Sequence, residues 1–379
     1  MNGRSGSRPT ARTPRVAMIP LLPSMNAATR TFCCTPLEYL AEHGITGAVL
    51  PPSGNGVYQW LQRPESRFRV LFAALYWYGL VAPRRLLHIA RALRYDVIFV
   101  QRGMLRYASA PVLEALLWLS AGKLLGRKIV YHCDDALHTV ANPRYYRARC
   151  RMADWVVTGS DEVASFARSV NPRVWRFSAP LEVRRYPVKR HGSDGERALV
   201  IGWVGTLANN SLPMVTGALE RVCRERPVRV KVVSDRPFHA AGFGQRLEWE
   251  PWSVDRRFSV FEDLDIGIMP LADGPYERGK EAFKLKEYMA AGLPVVCSPV
   301  GQNRSVVEHG VVGFFARSER DWVRCLERLI DDPALRAKLG QAGREIAEAT
   351  FDFPRQARRL GAFLCAIHRG LDPNTVARS

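Results

Sequence analysis

Short apolar runs without polar alternation recur along this chain, and most are followed by a longer segment with helical spacing. In the first half they are Arg15–Ile19 (RVAMI), Asp96–Gln101 (DVIFVQ), Lys128–His132 (KIVYH) and Trp155–Gly159 (WVVTG), with helix candidates at Pro36–His43, Pro83–Leu93 and Pro111–Leu125. The second half restarts the rhythm with Ala198–Val204 (ALVIGWV), a helix over Leu212–Glu225, Val228–Ser234 (VRVKVVS), Asp265–Pro270 (DIGIMP), a helix over Phe283–Ala291 and Pro294–Ser298 (PVVCS). A strand apolar on both faces must be covered on both faces, as in a parallel sheet between two layers of helix. Two such series predict an α/β protein of two doubly wound, Rossmann-like domains facing across a cleft. Ligands of such sheets sit at the carboxyl ends of the strands, so the cleft is the expected site.

A chain of 379 residues has room for this plan. Residues 1–14, basic and rich in Gly, Ser and Pro, read as a disordered tail. The expected domains are residues 15–185 and 186–352, and residues 353–379 are expected to form a C-terminal helix able to cross back to the first domain. The Pro- and Arg-rich block Pro172–His191 has no helical period and is the expected interdomain linker.

Charge is unevenly shared. Lys and Arg outnumber Asp and Glu 28 to 11 over residues 1–190, but only 27 to 25 over residues 191–379. A one-sided positive field suits an anionic partner: a membrane surface, an anionic substrate or nucleic acid. No helix-turn-helix, RNA-binding aromatic motif or zinc finger is visible, so nucleic acid is not an expected partner. The eight cysteines form no CxxC pair and have no paired His spacing, which argues against a disulfide scaffold or a zinc site. The longest apolar run, Val70–Ala82 (VLFAALYWYGLVA), is too short to span a bilayer. Flanked by Arg67, Arg69, Arg84 and Arg85, it suits either an element lying in a membrane interface or a buried core helix.

The most informative segment runs from Asp265 to Gly313. A strand ending at Pro270 leads into a polar loop that brings Arg278, Lys280 and Lys284 towards the start of the helix Phe283–Ala291. The free N–H groups and positive end of that helix, together with the ammonium groups, suit a pyrophosphate. Glu287, one turn on, suits ribose hydroxyls. Gly292 ends the helix and Pro294 opens the next strand.

This segment resembles the signature of the retaining, group 1 (family 4-type) glycosyltransferases of the GT-B fold. The match rests on Gly279–Lys280, Lys284, EYMAAGLPVV at 287–296, SPVG at 298–301, Asn303 and VVEHG at 306–310. IGWVGTLANN at 201–210 resembles the first strand and glycine loop of the family's C-terminal domain, which implies that Gly205 passes close to the donor phosphates. FVQR at 99–102, VYHCDDAL at 130–137 and VVTGSDEVA at 156–164 resemble a bacterial subset with an Asp-Asp pair. PSMNAATR at 23–30 stands where the family's first acceptor loop lies, implying acceptor contacts from Asn26 and Arg30.

The resemblance implies a nucleotide-sugar donor bound mainly by the second domain, through Gly205, Thr206, Lys280, Lys284 and Glu287, and an acceptor bound mainly by the first. Asp134 and Asp135 would bind the acceptor hydroxyl, orient the sugar or steady the cationic anomeric carbon, with His132 turned to the same side by strand alternation. Asp135 could equally cap a following helix, and His132 could be a core residue. Two family features are missing: Gly279 occupies the place of the first of two glutamates, and Thr206 that of an arginine. Trp252 and Pro251 follow an expected strand, Arg246–Trp249, either bordering the base or in the core. Because lysines would neutralise the leaving diphosphate, no metal or other cofactor is expected.

The expected function is therefore sugar transfer of the hexosyltransferase type from a nucleotide-diphosphate sugar to a glycan or a polyprenyl- or other lipid-linked acceptor. Retention of anomeric configuration, a role in cell-surface polysaccharide synthesis and a cytoplasmic location, peripheral on the inner membrane face, complete the expectation. A nucleotide-sugar epimerase or hydrolase of the same fold, and a non-catalytic sugar-nucleotide-binding protein, are the alternatives.

Overall fold

The computed structural model describes residues 12–61, 69–106, 109–191, 197–207 and 211–376. Most of the expected basic tail, residues 1–11, and positions 208–210 of the glycine loop lie outside the described residues. The strands are β1 (Val16–Pro20), β2 (Gly47–Val49), β3 (Val97–Gln101), β4 (Lys128–Cys133), β5 (Trp155–Thr158) and β6 (Val174–Arg176), then β7 (Leu199–Gly205), β8 (Val228–Ser234), β9 (Leu247–Pro251), β10 (Ile266–Met269), β11 (Val295–Cys297) and β12 (Gly313–Phe315). They form two six-stranded sheets, ordered β2-β1-β3-β4-β5-β6 and β12-β11-β10-β7-β8-β9, with every pairing parallel. This is the two-domain α/β architecture expected from the sequence.

The lack of alternation in the strands has a direct cause. Val16 and Met18 of β1 pack with Val97, Phe99 and Val130 on one face, while Ala17 and Ile19 pack with Ile98, Val100 and Ile129 on the other. Strand order reverses between β1 and β3 in the first sheet and between β7 and β10 in the second. Chains leaving the carboxyl ends of such strands diverge and open a crevice between them. The helix Phe353–His368 returns to the first sheet, where Leu360, Phe363, Leu364 and Ile367 join its core and the Phe363 ring stacks on Trp175 at 4.3 Å.

Three strands of three residues each escape a sequence reading: β2, β6 and β12. The strand β6 lies inside the block expected to be linker, Pro172–His191, and Val174 and Trp175 are buried there. The apolar run behind residue 69 is helical through Arg69–Ala74, a π-helical segment Leu75–Val81 and Ala82–Ala92. It is not a core helix: Tyr76 and Val81 are buried, whereas Leu71, Leu75 and Tyr78 are each more than half exposed. Among the described residues no helix is long and apolar enough to cross a membrane.

Candidate active site

The two crevices face each other and share one cavity of about 410 Å³. The first domain contributes Asn26, Arg102, Asp134 and Asp135, which follow the carboxyl ends of β1, β3 and β4; the second contributes Trp203, Thr206, Lys280 and Lys284 from β7 and the donor-side loop.

The helix Phe283–Ala290 starts abruptly. Its N-cap, Ala282, adopts the left-handed conformation (φ 55°), and no side chain caps the end. A left-handed alanine costs about 1 kcal/mol or more, and here it turns the chain so that Lys284 faces the cavity from the first turn. Lys284 lies across Gly205, where a Cβ would overlap its Cε, and its ammonium stands 5.4 Å above the Trp203 ring. Burial, assisted by Lys280, pushes Lys284 down to about 8, against the opposing pull of Glu287 and Asp135. Lys280 is also lowered, chiefly by burial, while Glu277 and Asp135 favour its charge. Two ammonium groups lining one cavity suit a polyanionic ligand.

Opposite them stand the two carboxylates. Arg102 donates from Nε and Nη2 to the two oxygens of Asp134, each at 2.6 Å, and from Nη2 to Asp135 Oδ2 at 2.7 Å. Burial pushes Asp134 upward, but the charge and hydrogen bonds of Arg102 prevail and hold it below the usual carboxylate range. Asp135 is raised by burial, with Asp134 adding to the rise and Arg102, Lys280 and Lys284 opposing it. Asp135 is no helix cap: the 3-10 helix Leu137–Thr139 starts at Ala136 without a side-chain bond.

Other expected residues sit differently. His132 is fully buried, with its ring 4.2 Å from that of Phe32 and against Phe99 at 5.4 Å, and it is pushed down to about 4 by burial. It does not line the cavity, so its expected catalytic place is corrected to a core position. Strand alternation misled because β4 ends at Cys133, and Asp134 no longer follows the pleat. Asn26 lines the cavity and caps the short helix Ala27–Thr29 by accepting from Ala28 N–H. Arg30, by contrast, donates to the carbonyls of Ser24 and Met25, bracing the preceding turn rather than lining the cavity. Glu287 accepts from the Tyr186 hydroxyl at 2.9 Å, is pushed up to about 7 by burial, and stands outside the cavity lining. Trp252 is 37% exposed and belongs neither to the cavity nor to the core.

Sequence reasoning passed over Arg102. It follows a buried strand, has φ 62° and precedes Gly103 at φ 128°, so an Arg-Gly pair at a strand end was the available signal. It also passed over a buried ion pair that ties the donor-side loop to the first domain's edge. Glu281 accepts from Ala179 N–H and from Lys286 Nζ, which also donates to Ser178 Oγ at 2.8 Å.

Residues 198–332 match the family model described as glycosyl transferases group 1. The second domain is a group 1 glycosyltransferase domain. It spans β7 to β12 and includes both cavity lysines. Among proteins of curated function, none matches the chain in sequence. Similar solved structures cover nearly the whole chain at low identity. HepE from Anabaena, in complex with UDP-glucose, has a TM-score of 0.64 at 15% identity over 93% of this chain and 99% of that one. Sucrose-phosphate synthase from Thermosynechococcus elongatus has 0.67 at 14% over 94% and 99%. WaaG, a glycosyltransferase involved in lipopolysaccharide biosynthesis, has 0.62 at 14% over 92% and 99%. The architecture is the GT-B fold, and this enzyme is a glycosyltransferase.

Proposed function

We propose that this glycosyltransferase moves a sugar from a nucleotide-diphosphate sugar to a hydroxyl of a glycan or lipid-linked acceptor, with retention of configuration. The observation that carries the reading is the single cavity in which Lys280, Lys284 and a helix start face an Asp pair held by arginine. Breaking the anomeric C–O bond leaves negative charge on the diphosphate and positive charge on the sugar carbon. Preorganised ammonium groups and helix N–H groups stabilise the first, and the carboxylates of the first domain stabilise the second. Because the protein's own cations meet the diphosphate, transfer is expected to need no Mg²⁺ or other cofactor. HepE, crystallised with UDP and with UDP-glucose, gives uridine nucleotides precedence in the search for the donor.

An acceptor at an anionic membrane surface is supported by the first domain. Leu71, Leu75, Tyr78, Leu87, Leu119 and Leu124 are all more than half exposed. They lie on helical segments within Arg69–Ala92 and Val112–Leu124, of which Ala82–Ala92 and Val112–Leu117 are in contact. The first stretch carries no acidic residue, and Arg84, Arg91 and Lys123 are exposed on the same segments. Exposed apolar side chains on segments that also expose cations suit the interface of an anionic bilayer. The proposed setting is the cytoplasmic membrane face, in the synthesis of a surface polysaccharide, as for WaaG in lipopolysaccharide.

Melting temperatures measured with UDP, GDP, ADP and their sugar conjugates test the donor reading. One nucleotide class should raise the melting temperature, and no response to any of them would refute the reading. Incubating the protein with that donor alone separates transfer from epimerisation or hydrolysis.

A further inference from the structure

Position 279 has no room for a side chain in this structure. A Cβ on Gly279 would overlap the Ala136 Cβ and stand 3.2 Å from the Ala136 backbone. The turn after β4 therefore fills the space through which a side chain from the donor-side loop would enter. The same turn carries Asp135, the residue before Ala136, into the cavity, where it meets the charges of Lys280 and Lys284.

Arg102 distinguishes the two carboxylates. It engages both oxygens of Asp134, which is 5% exposed, but reaches Asp135 through Oδ2 alone. The second oxygen of Asp135 lies outside that contact, and its side chain is 25% exposed. Arg102 is itself fixed. Its left-handed backbone places its N–H on the His132 carbonyl at 2.9 Å, and its own carbonyl accepts from the Tyr131 hydroxyl at 3.3 Å.

Resting on the donor-site reading above, we propose that Arg102 is a positioning residue that holds Asp135 to accept hydrogen bonds from hydroxyls of the transferred sugar, in place of a side chain at position 279. A buried carboxylate reverts to its neutral form unless a cation sits beside it, and only the ionised form offers all its lone pairs to hydroxyl donors. A guanidinium fork fixes its orientation as well as its charge. A bare nucleoside diphosphate lacks the transferred sugar, so this contact adds affinity only to the sugar conjugate.

That difference supplies the test. Dissociation constants are measured by calorimetry on the full-length protein for UDP, GDP and ADP and for their glucose, mannose and N-acetylglucosamine conjugates. Asp135→Asn and Arg102→Gln are expected to weaken the conjugate that the wild type binds by about tenfold or more, the scale of a charged hydrogen bond. Affinity for the matching bare nucleotide should stay within about twofold, and Arg102→Lys should recover part of the loss. Parallel loss of both affinities, or no change in their ratio, would overturn the assignment of Arg102 while leaving the donor site standing. A wild-type protein that binds none of the nucleotides would overturn the donor-site reading and this assignment with it. Should Arg102→Gln fail to fold, Asp135→Asn and Arg102→Lys still decide the ratio.

Discussion

Lys284 lies across Gly205, in the space that a Cβ at position 205 would take. The glycine at the end of β7 is thus what lets an ammonium approach the strand end at the cavity. Gly205→Ala would overlap the flexible end of Lys284 and stand 3.1 Å from the Trp203 ring, so stability should fall by about 1 kcal/mol. Lys284 would have to swing aside. Affinity for the nucleoside diphosphate is expected to fall about tenfold by calorimetry, with an unchanged circular dichroism spectrum.

The lowered proton affinity of Lys284 makes binding pH-dependent. Burial brings the ammonium to about 8, so it is mostly charged at pH 7 and mostly neutral at pH 9. A diphosphate binds the charged form and must restore the proton above pH 8. Affinity should therefore weaken about tenfold between pH 7 and pH 9, with proton uptake seen as a buffer-dependent binding enthalpy. Lys284→Arg stays charged throughout this range and should flatten the profile. A wild-type profile that is already flat would count against the role of Lys284.

Glu287 titrates in the opposite sense for stability. Its carboxyl is pushed up to about 7 by burial, against the hydrogen bond from Tyr186. Below the ordinary carboxylate range both folded and unfolded states are neutral, and no penalty exists. As pH rises towards 7 the unfolded state ionises first, and folding loses stability that is fully gone above 7. Glu287→Gln keeps an acceptor for the Tyr186 hydroxyl and removes the charge. The variant should melt a few degrees higher than wild type at pH 8 and no higher at pH 4. An equal gain at both pH values would place its cause elsewhere.

Much of the fold was legible because parallel strands buried on both faces leave unbroken apolar runs, as at β3, where all five residues are buried. The strands β2, β6 and β12 were not, since three residues carry no pattern of their own; β11, equally short, was legible because the helix stop at Gly292 and Pro294 frame it. In the site, Lys280, Lys284, Asp134 and Asp135 do share one cavity. Arg102 was hidden because its part depends on a left-handed backbone and on carboxylates more than thirty positions away. Arg30 and His132 misled for local reasons: a turn whose carbonyls take the guanidinium, and a strand that ends one residue before the pair.

The exposed apolar face predicts binding to vesicles. The protein should sediment with vesicles containing phosphatidylglycerol and far less with pure phosphatidylcholine, and salt should weaken the association through screening. Leu75→Glu with Leu119→Glu should release it, while nucleotide affinity stays unchanged, because neither leucine lines the cavity. Sedimentation unaltered by these changes would remove the membrane claim.

The buried pair Glu281–Lys286 predicts a non-additive response. Lys286 is fully buried, and its Nζ donates to Glu281 at 3.0 Å and to Ser178 at 2.8 Å. Burial lowers Lys286 and raises Glu281, so each depends on the other to stay charged. Lys286→Met strands a carboxylate in the interior and should cost about 3–5 kcal/mol. Adding Glu281→Gln removes that charge yet leaves an oxygen to accept from Ala179 N–H. The double variant should therefore melt above Lys286→Met alone, although it has lost one more native side chain. Melting curves of the two single variants and the double variant test this, and simple additivity of the two losses would mean that the pair does not act as a unit.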